Sequence, residues 1–253
     1  MRYGFCASSK NFKDIAEIGY DFFEFNFTEL AQMSEDDFIK FKNMVDSSKI
    51  KVESFNGAFP AGIKISCKDV DVDAVKRHVE IGCKRASQLG GKIVVLGSGG
   101  ARNVNNGDFE TAEKSFIQVI NTFTEIADKY GITLVIENLN SKETNFINTV
   151  EEEMRIIQKS GNDKVKCHVD FFHCEKENEP MENIESCSNV GHVHVCSIAR
   201  TVDMDTDAEL LKKWKGALDK CGYDGRISIE CFVLGDTMSK AKNALALLKE
   251  IFG

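Results

Sequence analysis

Eight short runs of β-branched and aromatic residues recur along this chain at nearly even spacing, and that rhythm constrains the fold more than any other feature. They are RYGFCA (2–7), FFEFNF (22–27), KVESF (51–55), KIVVLG (92–97), TLVIEN (133–138), KVKCHVD (164–170), GHVHVCS (191–197) and RISIECF (226–232). Longer stretches with apolar residues at helical spacing lie between them, clearest over Val72–Leu89, Phe109–Tyr130, Val150–Ser160, Ala208–Cys221 and Met238–Ile251. The sixth, Met181–Ser188, is the weakest and has room for a turn or two. Eight strand–helix units, roughly one per 32 residues, predict an α/β fold of the (β/α)8 TIM barrel type, whose usual length is ~250 residues. A doubly wound open sheet alternates in the same way. That architecture goes with phosphate-binding glycine fingerprints, and the cluster Gly97-Ser98-Gly99-Gly100 lacks the G-x-G-x-x-G spacing and has no Walker lysine after it.

Only two prolines, Pro60 and Pro180, occur in the 253 residues, and no Ser/Gly/Pro-rich linker divides them, so one barrel domain over residues 1–253 is expected. The formal charge of −8 repels a phosphate backbone, and the lysines are spread along the predicted helices among Asp and Glu. A nucleic-acid partner is therefore not expected. Nine cysteines form no C-x-x-C pair, and several, such as Cys167, Cys196 and Cys231, fall in apolar runs where a free thiol packs as a small hydrophobe. Such usage suits a reducing compartment. The leading segment MRYGFCASSK has no apolar core of a signal peptide, and no apolar run approaches the ~20 residues a membrane span needs. The expectation is a soluble cytoplasmic protein without a membrane partner.

Ionisable residues gather at the carboxyl ends of the last four strand segments. Glu137 ends the fifth, Asp170 the sixth, His192 and His194 lie on the seventh, and Glu230 on the eighth. Strand alternation puts Thr133, Val135 and Glu137 on one face, His168 with Asp170, His192 with His194, and Ser228 with Glu230. If those faces point inward, the side chains converge at the mouth where barrel active sites lie. Three carboxylates and several imidazoles in a buried space repel one another and lose hydration. Each could be satisfied separately by a helix end or a lysine, but their recurrence on four consecutive strands favours a shared divalent cation. Four of the five histidines (His168, His173, His192 and His194) fall in or just after the sixth and seventh segments; His78 reads as a surface residue of a helix.

The segments I-E-N-L-N-S-K-E-T (136–144), V-D-F-F-H (169–173), G-H-V-H-V-C-S-I-A-R (191–200) and I-S-I-E (227–230), taken together, resemble the sugar (phosphate) isomerase/epimerase group of xylose isomerase-like TIM barrels. That group includes ketose 3-epimerases, hydroxypyruvate isomerase and inosose-handling enzymes. The resemblance implies that Glu137, Asp170, His194 and Glu230 are the metal ligands, with His173, Arg200 and Glu143 binding substrate. His192 then lines the barrel or supports a ligand. The chain departs from many relatives in carrying T-V-D-M-D-T-D (201–207) where they have a Pro/Gly-rich segment. Its third and fourth strands end in F-N-G-A-F-P and G-S-G-G-A-R-N, without the extra histidines of endonuclease IV-like relatives, which argues for one metal and against abasic-site DNA cleavage.

One nitrogen and three carboxylates make a hard donor set suited to Mn²⁺ or Mg²⁺, with Co²⁺ and Zn²⁺ as further candidates. The expected function is a metal-dependent isomerase or epimerase of a small ketose, hydroxy-ketone or sugar phosphate, working by proton abstraction and a stabilised enediolate. Glu137 and Glu230 are the expected acid–base pair. The same site could instead dehydrate an inosose-type polyol ketone, or hold a sugar without turning it over. Glu24, which alternates with Phe22, reads better as a polar plug or a lysine's partner than as a site residue, and Arg102 is a weak candidate for contact with an anionic substrate. Phe116, Phe123 and Leu247 read as packing residues. The surfaces of the seventh and eighth predicted helices carry no clear heptad or single apolar stripe, so a homo-oligomer is left open.

Overall fold

The computed structural model describes residues 1–105 and 107–253, and all eight expected strands form within them. They are β1 (Arg2–Cys6), β2 (Phe22–Asn26), β3 (Val52–Asn56), β4 (Ile93–Leu96), β5 (Thr133–Glu137), β6 (Lys166–Asp170), β7 (Val190–Val195) and β8 (Arg226–Ile229). Every neighbouring pair is parallel, and β8 returns to β1, so the sheet closes into a barrel. The last two strands stop short of their expected ends, leaving Cys196, Glu230 and Cys231 just beyond them. Here the backbone turns to serve loops: Ser197 N–H donates to Thr201 O at 3.0 Å and Phe232 N–H to Arg200 O at 3.0 Å. Glu230 stays tied to β7 through its N–H on Val195 O at 3.1 Å.

Alternation sorts each strand into two environments. Val94, Leu96, Leu134 and Ile136 join the large core between sheet and helices, whereas Ile93, Val95 and Val135 form a separate cluster inside the barrel. On the other side of the interior the inward positions are polar, and Glu24, Ser54, His168, His192, His194 and Ser228 are fully buried. Phe22 also points inward. It fits because its β1 neighbour is Gly4, where a Cβ would stand 2.2 Å from the Phe22 ring.

The helices among the described residues are α1 (Phe12–Ile18), α2 (Phe27–Gln32), α3 (Glu35–Asp46), α4 (Val72–Leu89), α5 (Gly99–Arg102), α6 (Phe109–Lys129), α7 (Val150–Ser160), α8 (Phe171–Glu177), α9 (Met181–Glu185), α10 (Ala208–Lys220) and α11 (Thr237–Phe252). Their ends carry the expected signals. In α4, Asp71 accepts from Ala74 N–H at the start and Gly90 takes a left-handed φ of 99° at the end. The weak sixth stretch is the five-residue α9. No described helix is long and apolar enough to cross a membrane.

The buried stripe of α4 runs Val75, His78, Val79, Gly82, Cys83, Ala86, Leu89, which corrects the placement of His78 on the surface. Its Nε2 lies 2.8 Å from Ala58 O, its ring packs against Phe27 and Phe59, and burial pushes its pKa below the usual histidine value.

The inner face of α7 holds Val150, Glu153 and Ile156, so a carboxyl group occupies an apolar position. Glu153 Oε2 accepts from His168 N–H at 3.2 Å, and Oε1 has no hydrogen-bond partner among the described residues. Burial, reinforced by Cys187 and Glu179, raises its pKa well above the ordinary carboxylate range. The folded protein therefore keeps a proton that the unfolded chain releases near pH ~4.3. The stability associated with that proton is full below this value and is lost as pH rises through the raised native one. Glu153→Gln, which cannot ionise, is expected to gain Tm relative to the parent progressively from pH 4 upward. Parallel Tm curves for variant and parent across pH would contradict this.

Candidate metal centre

The ionisable residues of the last four strands converge through the stagger of the barrel, for Glu137 is registered with His168 and Glu230 lies two residues beyond Ser228, the partner of His194. Asp170 pairs with His194 across β6 and β7, while Glu137 ends β5 and Glu230 follows β8. His194 Nδ1 lies 3.6 Å from Glu137 Oε1, 3.7 Å from Asp170 Oδ2 and 3.7 Å from Glu230 Oε2. One donor atom from each of the four residues falls within 4.8 Å of all the others. Those spacings are too long for hydrogen bonds and close to the roughly 3–3.5 Å between two ligands that each sit ~2.1 Å from one ion. His194 Nδ1 and Glu137 Oε1 are both buried without a hydrogen-bond partner among the described residues. The arrangement fits a divalent cation with one imidazole and three carboxylate donors.

The electrostatics agree with that fit. Burial raises the Glu137 carboxyl above its usual pKa, and the Glu230 charge adds to the effect. At Asp170 burial acts in the same direction but is outweighed by His173 and then His194, so its pKa is lowered. His194 shows the opposite balance: burial disfavours its charge, yet Glu24 and Glu230 hold its pKa well above the usual value. The carboxylates thus favour positive charge at the His194 ring, and a metal ion supplies more of it than a proton does.

Each member is held by its own local structure. Asp170 N-caps α8, its Oδ1 accepting from His173 N–H at 3.1 Å while Oδ2 faces His194. Glu137 has room because the residue just after the neighbouring β4 is Gly97; a Cβ there would stand 1.9 Å from Glu137 Oε2. Glu230 is gripped on both oxygens, by Asn56 Nδ2 at 2.6 Å and by Arg200 Nη2 at 3.3 Å.

Around this group lie the three expected substrate-binding residues. Arg200 Nη1 donates to Glu143 Oε1 at 2.6 Å, and the guanidinium is flanked by the rings of Phe172 and Phe232 at 4.8 and 5.5 Å. Arg200 takes a left-handed φ of 56°, a costly conformation for a residue with a Cβ and one often found where a side chain must be aimed. His173 Nδ1 faces the backbone N–H and side-chain Nδ2 of Asn140, at 3.2 and 2.8 Å. Its Nδ1 is then the acceptor and Nε2 carries the proton; Nε2 is buried, unpartnered and 3.9 Å from Asp170 Oδ2.

Some side chains do other work than the sequence suggested. Arg102 is fully buried and donates to the carbonyls of Leu96, Glu137 and Ile147 at 3.3, 2.7 and 3.0 Å, with burial pushing its pKa down to about 10. It braces the carboxyl ends of β4 and β5 and is out of a substrate's reach. Glu24 is indeed a buried plug, but its partners are His192, His194 and Ser54 and not a lysine. His168 sits with His192 and His194 in a second buried group, both of its ring nitrogens unpartnered. Asn56 and Asn140 were missed. Asn56 alternates with the inward Ser54 and was legible as a residue of the mouth; nothing in the sequence ties Asn140 to His173.

Residues 12–251 match the family model described as xylose isomerase-like TIM barrel. The L-ribulose 3-epimerase of Mesorhizobium japonicum is 28% identical over 125 residues, which are 46% of this chain and 40% of that protein. The D-psicose 3-epimerase of Ruminiclostridium cellulolyticum is 27% identical over 135 residues, 52% of this chain and 44% of that one. The chain thus spans less than half the length of either relative in these matches. A crystal structure of D-psicose 3-epimerase in the presence of D-fructose superposes with a TM-score of 0.86 at 20% identity, covering 100% of both chains. With the closed eight-stranded barrel and a family match running through nearly all of it, this chain belongs to the xylose isomerase-like TIM barrel family.

Proposed function

We propose that this protein is a divalent-metal-dependent isomerase or epimerase of a small ketose. The observation that carries the reading is the convergence of Glu137, Asp170 and Glu230 on the unpartnered Nδ1 of His194. These four residues would hold the ion, and the hard donor set makes Mn²⁺ the first candidate and Mg²⁺, Co²⁺ or Zn²⁺ the others. When bound, such an ion polarises a carbonyl and stabilises negative charge on adjacent substrate oxygens.

The chain's own groups supply the rest. Glu137 and Glu230 stand on β5 and just after β8, so a substrate between them meets a carboxylate on either side. One takes the proton next to the carbonyl and the other returns one to the opposite face; return to the same face gives no inversion. His173 Nε2–H donates to the oxygen that gains charge. Arg200 and Glu143 orient a neighbouring hydroxyl, with the guanidinium flanked by Phe172 and Phe232. Arg200 is already neutralised by Glu143 and Glu230, which favours an uncharged ketose over a sugar phosphate or hydroxypyruvate.

The test is to follow a panel of ketoses, ketose phosphates, hydroxypyruvate and inosose by NMR in deuterated water, with Mn²⁺-loaded and chelator-stripped protein. Metal-dependent deuterium entry into a neutral ketose without loss of mass is the expected result. Loss of water from the inosose would replace this reading with dehydration. Binding without exchange by metal-loaded protein would leave a sugar-binding module.

A further inference from the structure

We propose that Glu24 is the positioning residue that makes His194 a metal ligand, an inference that rests on the metal reading above. Glu24 lies on β2, in the half of the barrel that contributes none of the four expected ligands, and is fully buried. Its carboxylate uses both oxygens. Oε1 accepts from His194 Nε2–H at 2.8 Å; Oε2 accepts from His192 Nε2–H at 2.9 Å and from Ser54 Oγ–H at 2.6 Å.

A neutral imidazole carries one proton, and the hydrogen bond made by one nitrogen decides which nitrogen is free. By holding the proton on Nε2, Glu24 makes Nδ1 the nitrogen that yields its proton to a metal, and Nδ1 is the nitrogen 3.6–3.7 Å from the three carboxylates. The same bond fixes the plane of the ring. A carboxylate on the far nitrogen also makes an imidazole a stronger donor to a metal. His192 and Ser54 keep the Glu24 carboxylate turned so that Oε1 faces His194. This gives the first histidine of the H-x-H pair a use, although its own Nδ1 has no partner.

A competing arrangement exists on the same residues. His168, His192 and His194 bring ring nitrogens within 4.8 Å of one another, close enough to share a cation. A cation there must draw a His194 nitrogen away from either Glu24 or the three carboxylates, so the two arrangements are exclusive.

The experiment uses the full chain with Zn²⁺, which is diamagnetic, and compares the parent with Glu24→Gln and Ser54→Ala. Calorimetry gives affinity and stoichiometry, and ¹⁵N–¹H correlation of the imidazoles gives the tautomers. The parent is expected to take up one equivalent, with His194 metallated on Nδ1 and protonated on Nε2. Glu24→Gln is expected to weaken affinity by about 10–100-fold and to lose the protected Nε2–H signal of His194. Ser54→Ala, which keeps both histidine bonds, is expected to preserve that signal. Zinc uptake by the parent with unchanged affinity in Glu24→Gln overturns this proposal alone, as does a second equivalent on the three histidines. No uptake by the parent overturns the functional reading with it. If Glu24→Gln fails to fold, the parent's spectrum still decides, because His194 metallated on Nε2 is incompatible with the proposal.

Discussion

Glu137→Gln is expected to reduce solvent-deuterium incorporation into the ketose by about 10²–10⁴-fold at saturating metal, the usual contribution of a positioned acid or base. The amide keeps the size of the side chain and removes both the proton-carrying oxygen and one negative charge from the cluster. Its effect on the fold should have the opposite sign. Burial already raises the pKa of the Glu137 carboxyl, so a neutral amide relieves a cost, and the Tm of metal-free protein should hold or rise. Such opposition between activity and stability is common where a site is built from groups that are uncomfortable together. The measurement is the NMR exchange rate beside a thermal melt. Exchange within tenfold of the parent would remove Glu137 from the proton-transfer role and leave the pair Glu230–His173 to carry it.

Gly97→Ala should be nearly as damaging to activity although it alters no ionisable group. The added Cβ would stand 1.9 Å from Glu137 Oε2, where ordinary contact begins near 3.4 Å, so the carboxylate has to retreat by roughly 1.5 Å. Misplacement of a reacting group by ~1 Å can cost about 10²-fold in rate, and a fall of at least that size in kcat/KM is expected, with weaker metal binding. Because the clash is with the end of a flexible side chain and not with backbone, the Tm should move little. A fully active Gly97→Ala protein would mean that Glu137 works from another rotamer.

How far this could be read beforehand varies residue by residue. The strands were legible because each buries its residues with period two and stands between helical stretches; both Val72–Leu89 and Val150–Ser160 form over their full expected spans. His194 and Asp170 were legible as companions because each lies on the inward face of a strand at a comparable depth, and a closed barrel turns such faces toward one another. His78 shares a packed stripe with Val75, Val79 and Gly82, so its polarity points to the surface while its period points inward, and the period decides. Arg102 and Glu24 are different cases. What satisfies a fully buried Arg102 is three main-chain carbonyls, and carbonyls have no sequence signature. The two histidine partners of Glu24 lie 168 and 170 residues away, a relation that only the closing of the ring creates.

That closure also sets a clock. β1 is zipped on one side to β2 almost at once, but its other side waits for β8: Arg2 aligns with Arg226 and Phe5 with Ile229. At a synthesis rate of ~5–20 residues per second, the gap is roughly 10–45 s. Throughout it the emerging sheet carries open edges, the geometry that recruits other nascent chains, and the inward-facing Phe22 of β2, which ends with no solvent contact beside His192 of β7, stays uncovered. Closure of this barrel therefore waits on its last strand, and its yield in a cell is expected to rise with chaperone supply.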